Sequence, residues 1–127
     1  MVTALDKRVN AVAAYCPALC QTNGTSYGKA EGWPKPTVRF GNSKLGMAAH
    51  VEKTIAYYDV CNFVEDIGVP IFMTWGLIDD VTPASTIFGA YNRISAPKNN
   101  LLMPNIAHAN DRSQIDAVHD FIFKSVR

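Results

Sequence analysis

The residues VPIFMTW at positions 69–75 form an almost uninterrupted apolar run in the middle of the chain. A strand with one wet face alternates apolar and polar side chains, whereas a strand of a parallel sheet is covered on both faces and is apolar throughout. Pro70 is compatible with a strand here because the first residues need not donate to the ladder. The run therefore predicts a buried strand of a parallel sheet, with helices on both sides of it.

The segments around this run alternate between short apolar strands and helical patterns. Thr82 and Pro83 are typical of a helix start, with a hydroxyl cap followed by a proline at the first helical position. The predicted order is the last turn of a helix at 1–5, a strand at 9–15, a loop excursion at 21–46, helical segments at about 47–51 and 55–66, a strand at 69–75, a helix from 83 to about 94, a strand at 101–103, and a helix carrying Ile115, Val118, Ile122 and Val126. This order predicts a three-layer α/β domain in which helices flank a parallel sheet.

Composition argues against several classes of function. Twelve basic and eleven acidic residues leave a formal charge of +1 without a basic run, so we expect no nucleic-acid partner. The three cysteines, Cys16, Cys20 and Cys61, form no CxxC pair; they predict buried, reduced thiols rather than a disulfide framework, and we expect no metal site and no cofactor. The chain shows neither a signal-peptide pattern nor the roughly 20 apolar residues of a membrane span, so we expect no membrane contact and assign no localisation.

Two loops follow the second and third predicted strands, at 76–83 and 105–110. In open α/β sheets the functional side chains gather at the carboxyl ends of the strands. Asp79 lies in the first of these loops and His108 in the second, and an acid followed by a histidine is the order of a Ser…Asp…His hydrolase. A serine hydroxyl needs an imidazole to take its proton, and a buried carboxylate holds that imidazole in the required tautomer. His50 and His119 lie in helical patterns and are interpreted as surface residues.

Beyond these two loops, short motifs along most of the chain carry a more specific signal. They are Ala56-Tyr57-Tyr58-Asp59 with Asn62-Phe63, then Gly76-Leu77-Ile78-Asp79, then Thr82-Pro83-Ala84-Ser85-Thr86, Ala90-Tyr91-Asn92, Pro97-Lys98 and His108. In this combination the chain resembles the acetyl xylan esterases and cephalosporin C deacetylases, carbohydrate esterases of the α/β-hydrolase superfamily. The resemblance is to the C-terminal part of such an enzyme, so residues 1–127 are expected to form a single partial α/β-hydrolase domain, the C-terminal half of that fold.

The resemblance implies roles for the two loop residues. Asp79 corresponds to the catalytic acid and His108 to the catalytic base, whereas Asp80 is expected to be a solvated loop carboxylate. Two positions depart from the family pattern: Ala107 stands where the family usually has glycine, and Ala84 where it has a second proline. If position 107 requires a positive φ angle, the alanine would strain the backbone beside the histidine.

The sequence GTSYG at 24–28 matches the G-x-S-x-G pattern of a hydrolase nucleophile. Such a serine must lie on a tight turn between a buried strand and a helix. Ser26 is followed within eight residues by Trp33-Pro34, which cannot belong to that helix, and the near-match at Gly41-Asn42-Ser43 lacks the second glycine. The resemblance places the true serine before Met1, so no nucleophile is expected within this chain.

These observations predict an acid and a base without a nucleophile, and therefore no esterase activity from the chain alone. Completed by an N-terminal part, it is expected to deacetylate acetylated xylan or xylo-oligosaccharides. Two alternatives stay open: a non-catalytic oligomeric remnant of an α/β-hydrolase, and a fragment of a dienelactone-hydrolase-like or prolyl-oligopeptidase-like enzyme. An uncovered edge on the strand at 9–15 would invite pairing, so a homo-oligomer is expected.

Overall fold

The computed structural model of the chain describes residues 1–36 and 48–126. Its helices and strands are α1 (Val2–Leu5), β1 (Val12–Tyr15), α2 (Ala48–Ala56), β2 (Ile71–Gly76), α3 (Ala84–Tyr91), β3 (Lys98–Met103) and α4 (Arg112–Ser125). Short 3-10 helices lie at Gly24–Tyr27, Val60–Asn62 and Val64–Asp66. Among these residues no helix is long and apolar enough to cross a membrane.

The three strands form one parallel sheet in the order β1-β2-β3. Ile71 of β2 lies opposite Val12 on one side and opposite Lys98 on the other. The apolar run at 69–75 thus provides the central strand, and all six residues of β2 are buried. Because all strands are parallel, their carboxyl ends lie at one edge of the sheet.

Alternate residues of β2 enter two different apolar layers. Met73 and Trp75 belong to the main core with Ile87 of α3, and the Trp75 ring meets Phe88 edge-on at 5.1 Å between centroids. On the opposite face, residues of α4 cover the sheet: Phe121 stacks on Phe72 at 5.6 Å, and the Gln114 side chain donates to Thr74 Oγ1 at 2.7 Å. The three-layer arrangement of helices around a parallel sheet is confirmed.

The structure differs from the sequence prediction in the segment before β2. In place of a helix over 55–66, α2 ends at Ala56 and two 3-10 helices follow; the predicted start of the preceding helix at Met47 lies outside the described residues. The buried carboxylate of Asp59 explains the break, because it accepts hydrogen bonds from the amides of Gln21, Thr22 and Cys61. The carboxylate thereby holds Gln21 and Thr22 against this turn. Its hydrogen bond from the Cys61 amide also competes with a helical hydrogen bond, so the helix does not continue.

Smaller differences concern the limits of the other elements. Strand β1 is shorter than predicted, and β3 begins three residues earlier, at Lys98, because its polar first residues pair with β2 as an exposed edge. Of the loop excursion predicted at 21–46, the structure describes 21–36, which contain the 3-10 helix Gly24–Tyr27. The start of α4 is fixed by a capping box between Asp111 and Gln114.

Candidate active site

The carboxyl ends of the three strands bring together three side chains. Cys16 directly follows β1, Asp79 lies three residues after β2, and His108 lies five residues after β3. A sulfur, a carboxylate oxygen and a ring nitrogen of these residues lie within 4.8 Å of one another. The predicted pair, Asp79 and His108, is therefore assembled at the edge where α/β folds place their sites.

Asp79 is a buried carboxylate, and both of its oxygens accept hydrogen bonds. Its Oδ1 accepts the amides of Val81 and Thr82, each at 2.8 Å, and its Oδ2 accepts the Thr82 hydroxyl at 2.8 Å. Burial pushes the pKa of this carboxyl up, but the bonds from the Thr82 amide, from His108, from the Thr82 hydroxyl and from the Val81 amide outweigh it and hold the pKa below its usual value. Asp79 is accordingly ionised at neutral pH.

His108 is held by this carboxylate through one ring nitrogen. Its Nδ1 lies 2.8 Å from Asp79 Oδ2 and 3.3 Å from Thr82 Oγ1. An ionised carboxylate only accepts hydrogen bonds, so the short contact assigns the ring proton to Nδ1 and leaves Nε2 as an acceptor. The His108 side chain is 44% exposed and borders a cavity of about 370 Å³. The geometry is that of an imidazole oriented to take a proton.

Thr82 is a site residue whose role was misjudged from the sequence. We expected its hydroxyl to cap helix α3, but this is wrong: Pro83 is the N-cap residue and no side-chain cap bond forms there. Its hydroxyl instead donates to Asp79 and lies beside the histidine ring. A hydrogen bond to a buried carboxylate stabilises the fold more than a side-chain helix cap does, since such a cap contributes about 1 kcal/mol.

The loops after β2 and β3 are in direct backbone contact. The Leu77 amide donates to the carbonyl of Met103 at 3.0 Å, and a Cβ atom at Gly76 would overlap the carbonyl oxygen of Ile106. Only glycine therefore lets the loop that carries His108 approach β2 this closely. Ala107, in contrast, is not among the described non-glycine residues with positive φ, and the pair forms with alanine at that position.

Other candidate residues lie outside this cluster. Asp80 is exposed, and its backbone carbonyl accepts Lys35 Nζ at 2.7 Å. Ser26 is an exposed residue of the 3-10 helix Gly24–Tyr27, with no strand directly before it, so it lacks the strand–turn–helix setting of a nucleophile elbow. His50 and His119 are exposed on α2 and α4. The near-match at Gly41–Ser43 lies outside the described residues.

Cys16 is the member of the cluster that sequence reasoning missed. Its residue type and spacing gave no motif, and only its position at the end of a predicted strand could have drawn attention to it. It has a φ angle of 37°, and its amide donates to the Thr74 carbonyl at 2.9 Å. Burial, followed by the charge of Asp79, raises the pKa of its thiol. The thiol is therefore protonated at neutral pH, which does not suit a nucleophile.

Comparison with known proteins finds acetyl xylan esterases and an acetyl esterase in sequence and in structure. Residues 1–125 match the acetyl xylan esterase (AXE1) family. Acetyl esterase Axe7A of Xylanibacter ruminicola is 39% identical over 109 residues, which are 85% of this chain and 24% of that protein. The acetyl xylan esterase from Paenibacillus sp. R4 superposes with a TM-score of 0.81 at 26% identity, over 97% of this chain and 40% of that one. Acetyl xylan esterase 1 from Thermoanaerobacterium sp. JW/SL YS485 gives 0.79 at 26% identity, over 98% and 41%.

The chain thus spans less than half the length of these relatives. Within that span the similarity covers the sheet, the helices and both loops that carry Asp79 and His108. This chain belongs to the acetyl xylan esterase family.

Proposed function

We propose that this chain supplies the acid and the base of a serine acetyl esterase that removes acetyl groups from xylan or xylo-oligosaccharides. The observation that supports this proposal is the 2.8 Å contact between His108 Nδ1 and the buried carboxylate of Asp79. In a member of the acetyl xylan esterase family, that contact is the arrangement the serine mechanism needs.

In the proposed reaction the residues act in a fixed order. His108 Nε2 takes the proton of a serine hydroxyl as the oxygen attacks the acetyl carbonyl. The ionised Asp79 stabilises the imidazolium that forms. The imidazolium then returns the proton to the departing sugar oxygen, leaving the acetyl group on the serine. A water molecule, deprotonated by the same imidazole, releases acetate and restores the serine.

We propose that the serine comes from outside these 127 residues. Ser26 lacks the elbow, and the Cys16 thiol is held in its protonated form. Without a serine the Asp79–His108 pair has no hydroxyl to activate, so the chain alone is expected to hydrolyse a chromogenic aryl acetate no faster than free imidazole at the same concentration. Turnover by the chain alone that disappears in Ser26→Ala would contradict this.

A chimera tests the positive half of the proposal. The segment of Axe7A that matches this chain is replaced by the chain, at 39% identity. We expect the folded chimera to release acetate from acetylated xylo-oligosaccharides. A chimera that is folded by circular dichroism but inactive would contradict the proposal and favour the alternative of a non-catalytic remnant.

We further propose that the free edge of β1 is covered by another chain, either a second copy or a complementary N-terminal part. In the described residues β1 pairs only with β2. Thr3 of α1 and Val12 of β1 line one cavity, and α1 leaves Val2 and Leu5 70% and 69% exposed. Sedimentation velocity at micromolar concentration should show a dimer or larger species that Leu5→Lys weakens. Phe123→Lys, at an equally exposed position on α4, is the control and should change nothing. A strictly monomeric chain would contradict cover by a second copy and leave only the N-terminal part.

A further inference from the structure

We propose that Cys16, Asp79 and His108 form a zinc-binding site, and that zinc bound there prevents the Asp79–His108 pair from acting in catalysis. The three residues offer one sulfur, one oxygen and one nitrogen ligand within 4.8 Å of one another. This inference goes beyond the proposed esterase function, because the chain binds the metal whether or not it takes part in catalysis.

The ligand set selects the metal. Thiolate, imidazole and carboxylate are the ligands of zinc, whereas magnesium and calcium prefer oxygen alone. A thiolate and a carboxylate together balance the charge of a divalent ion, and the thiol proton passes to solvent when the metal binds. Three protein ligands leave the fourth tetrahedral position to water, which the adjoining cavity of about 370 Å³ admits.

The distances require only a small adjustment. Two ligands on a tetrahedral zinc ion lie roughly 3.2–3.8 Å apart, since the bonds are about 2.0–2.3 Å long. Ligand atoms within 4.8 Å therefore approach by at most about 1–1.6 Å, while His108 Nδ1 and Asp79 Oδ2, now 2.8 Å apart, separate by roughly 0.5 Å. The His108 ring, with 44% of its side chain exposed, can make these movements. Asp79 is buried and stays in place.

The surroundings of Asp79 already provide the outer hydrogen bonds that metal-binding carboxylates use. The amides of Val81 and Thr82 hold Oδ1, so Oδ2 faces His108 Nδ1 at 2.8 Å. The Thr82 hydroxyl donates to Oδ2 and can keep doing so with the metal bound. Such outer partners are usually worth a factor of about 10–100 in metal affinity.

Zinc in this cluster would interfere with catalysis because it would bind the Nδ1 nitrogen of His108. Asp79 contacts Nδ1, so a metal in this cluster takes the place of the Nδ1 proton that orients the ring. The ring then no longer donates to Asp79 and loses the tautomer required of the base. Zinc is therefore expected to inhibit the completed enzyme, because it binds the atoms of Asp79 and His108 that catalysis requires.

The test uses Co²⁺ as a spectroscopic substitute for zinc, on the 127-residue chain without a histidine tag. We expect one Co²⁺ per chain, with an intense near-ultraviolet sulfur-to-cobalt charge-transfer band. The band should vanish in Cys16→Ala and persist in Cys61→Ala, whose thiol is buried outside the cluster. Zinc affinity, measured calorimetrically, should fall at least about tenfold in Cys16→Ala and in His108→Ala but not in His119→Ala.

A charge-transfer band that persists in Cys16→Ala, or its absence from the unmodified chain, would overturn the proposal. Circular dichroism establishes that each variant is folded. If Cys16→Ala does not fold, alkylation of the unmodified chain decides: zinc should slow modification of Cys16, as mapped by mass spectrometry, and equal rates with and without zinc would refute the site.

Discussion

In the Axe7A chimera, His108→Ala is expected to lower kcat for an aryl acetate at least about 10³-fold, with little change in KM. The large effect follows from the chemistry: without the imidazole nothing takes the serine proton, and the Asp79 carboxylate has no ring to orient. The small effect on KM follows because the imidazole acts on the reacting atoms rather than on the bound sugar. Steady-state kinetics on the purified variants measure both constants.

Matched histidine variants separate this role from a general effect of mutation. His50→Ala and His119→Ala remove exposed imidazoles elsewhere on the chain and should leave kcat within about twofold, as is usual for exposed positions. Ser26→Ala should do the same. If His108→Ala keeps more than about a tenth of the activity, His108 is not the base of the relay.

The largest effect on stability is expected from Asp59→Ala, which should lower the free energy of unfolding by about 3–5 kcal/mol. The buried carboxylate accepts four hydrogen bonds, from the amides of Gln21, Thr22 and Cys61 and from the Thr22 hydroxyl. Alanine leaves the amides of Thr22 and Cys61 buried without an acceptor, and each costs about 1–3 kcal/mol. Urea denaturation followed by circular dichroism gives the difference.

Asp66→Ala is the control, because this aspartate lies exposed in the neighbouring 3-10 helix and its loss should change the unfolding free energy by less than about 0.5 kcal/mol. If Asp59→Ala does not fold, Asp59→Asn should still fold with an intermediate loss, since an amide keeps one acceptor oxygen. Equal stability of Asp59→Ala and the unmodified chain would show that the excursion is held by other contacts.

The sheet could be predicted from sequence because its central strand carries the strongest possible signal. A run that is apolar on both faces admits few arrangements, and Phe72 and Met73 do enter opposite layers. The loops that carry Asp79 and His108 followed from the position of the strand ends, and their 2.8 Å contact lies at that edge of the sheet. The hydrophobic pattern and the strand order were therefore sufficient to predict the sheet and the positions of these two loops.

What the sequence did not reveal depends on side chains that bond to distant backbone. Asp59 breaks a predicted helix because it binds amides 37 and 38 positions earlier in the chain, and no local pattern encodes such a partner. Thr82 carries the same residue type as a helix cap, yet its hydroxyl goes to Asp79. Cys16 enters the site only because the ends of three strands meet there. Long-range hydrogen bonding decided each of these cases.

The proposed roles require Asp79 to hold His108 with its ring proton on Nδ1, which is the tautomer of a catalytic base. Nitrogen NMR of the histidine rings tests it on the 127-residue chain at about pH 8, where an ordinary imidazole is neutral. We expect the ring of His108 to be protonated at Nδ1 and unprotonated at Nε2, and this preference to be lost in Asp79→Asn. A His108 ring protonated mainly at Nε2 in the unmodified chain would contradict the proposed roles of Asp79 and His108.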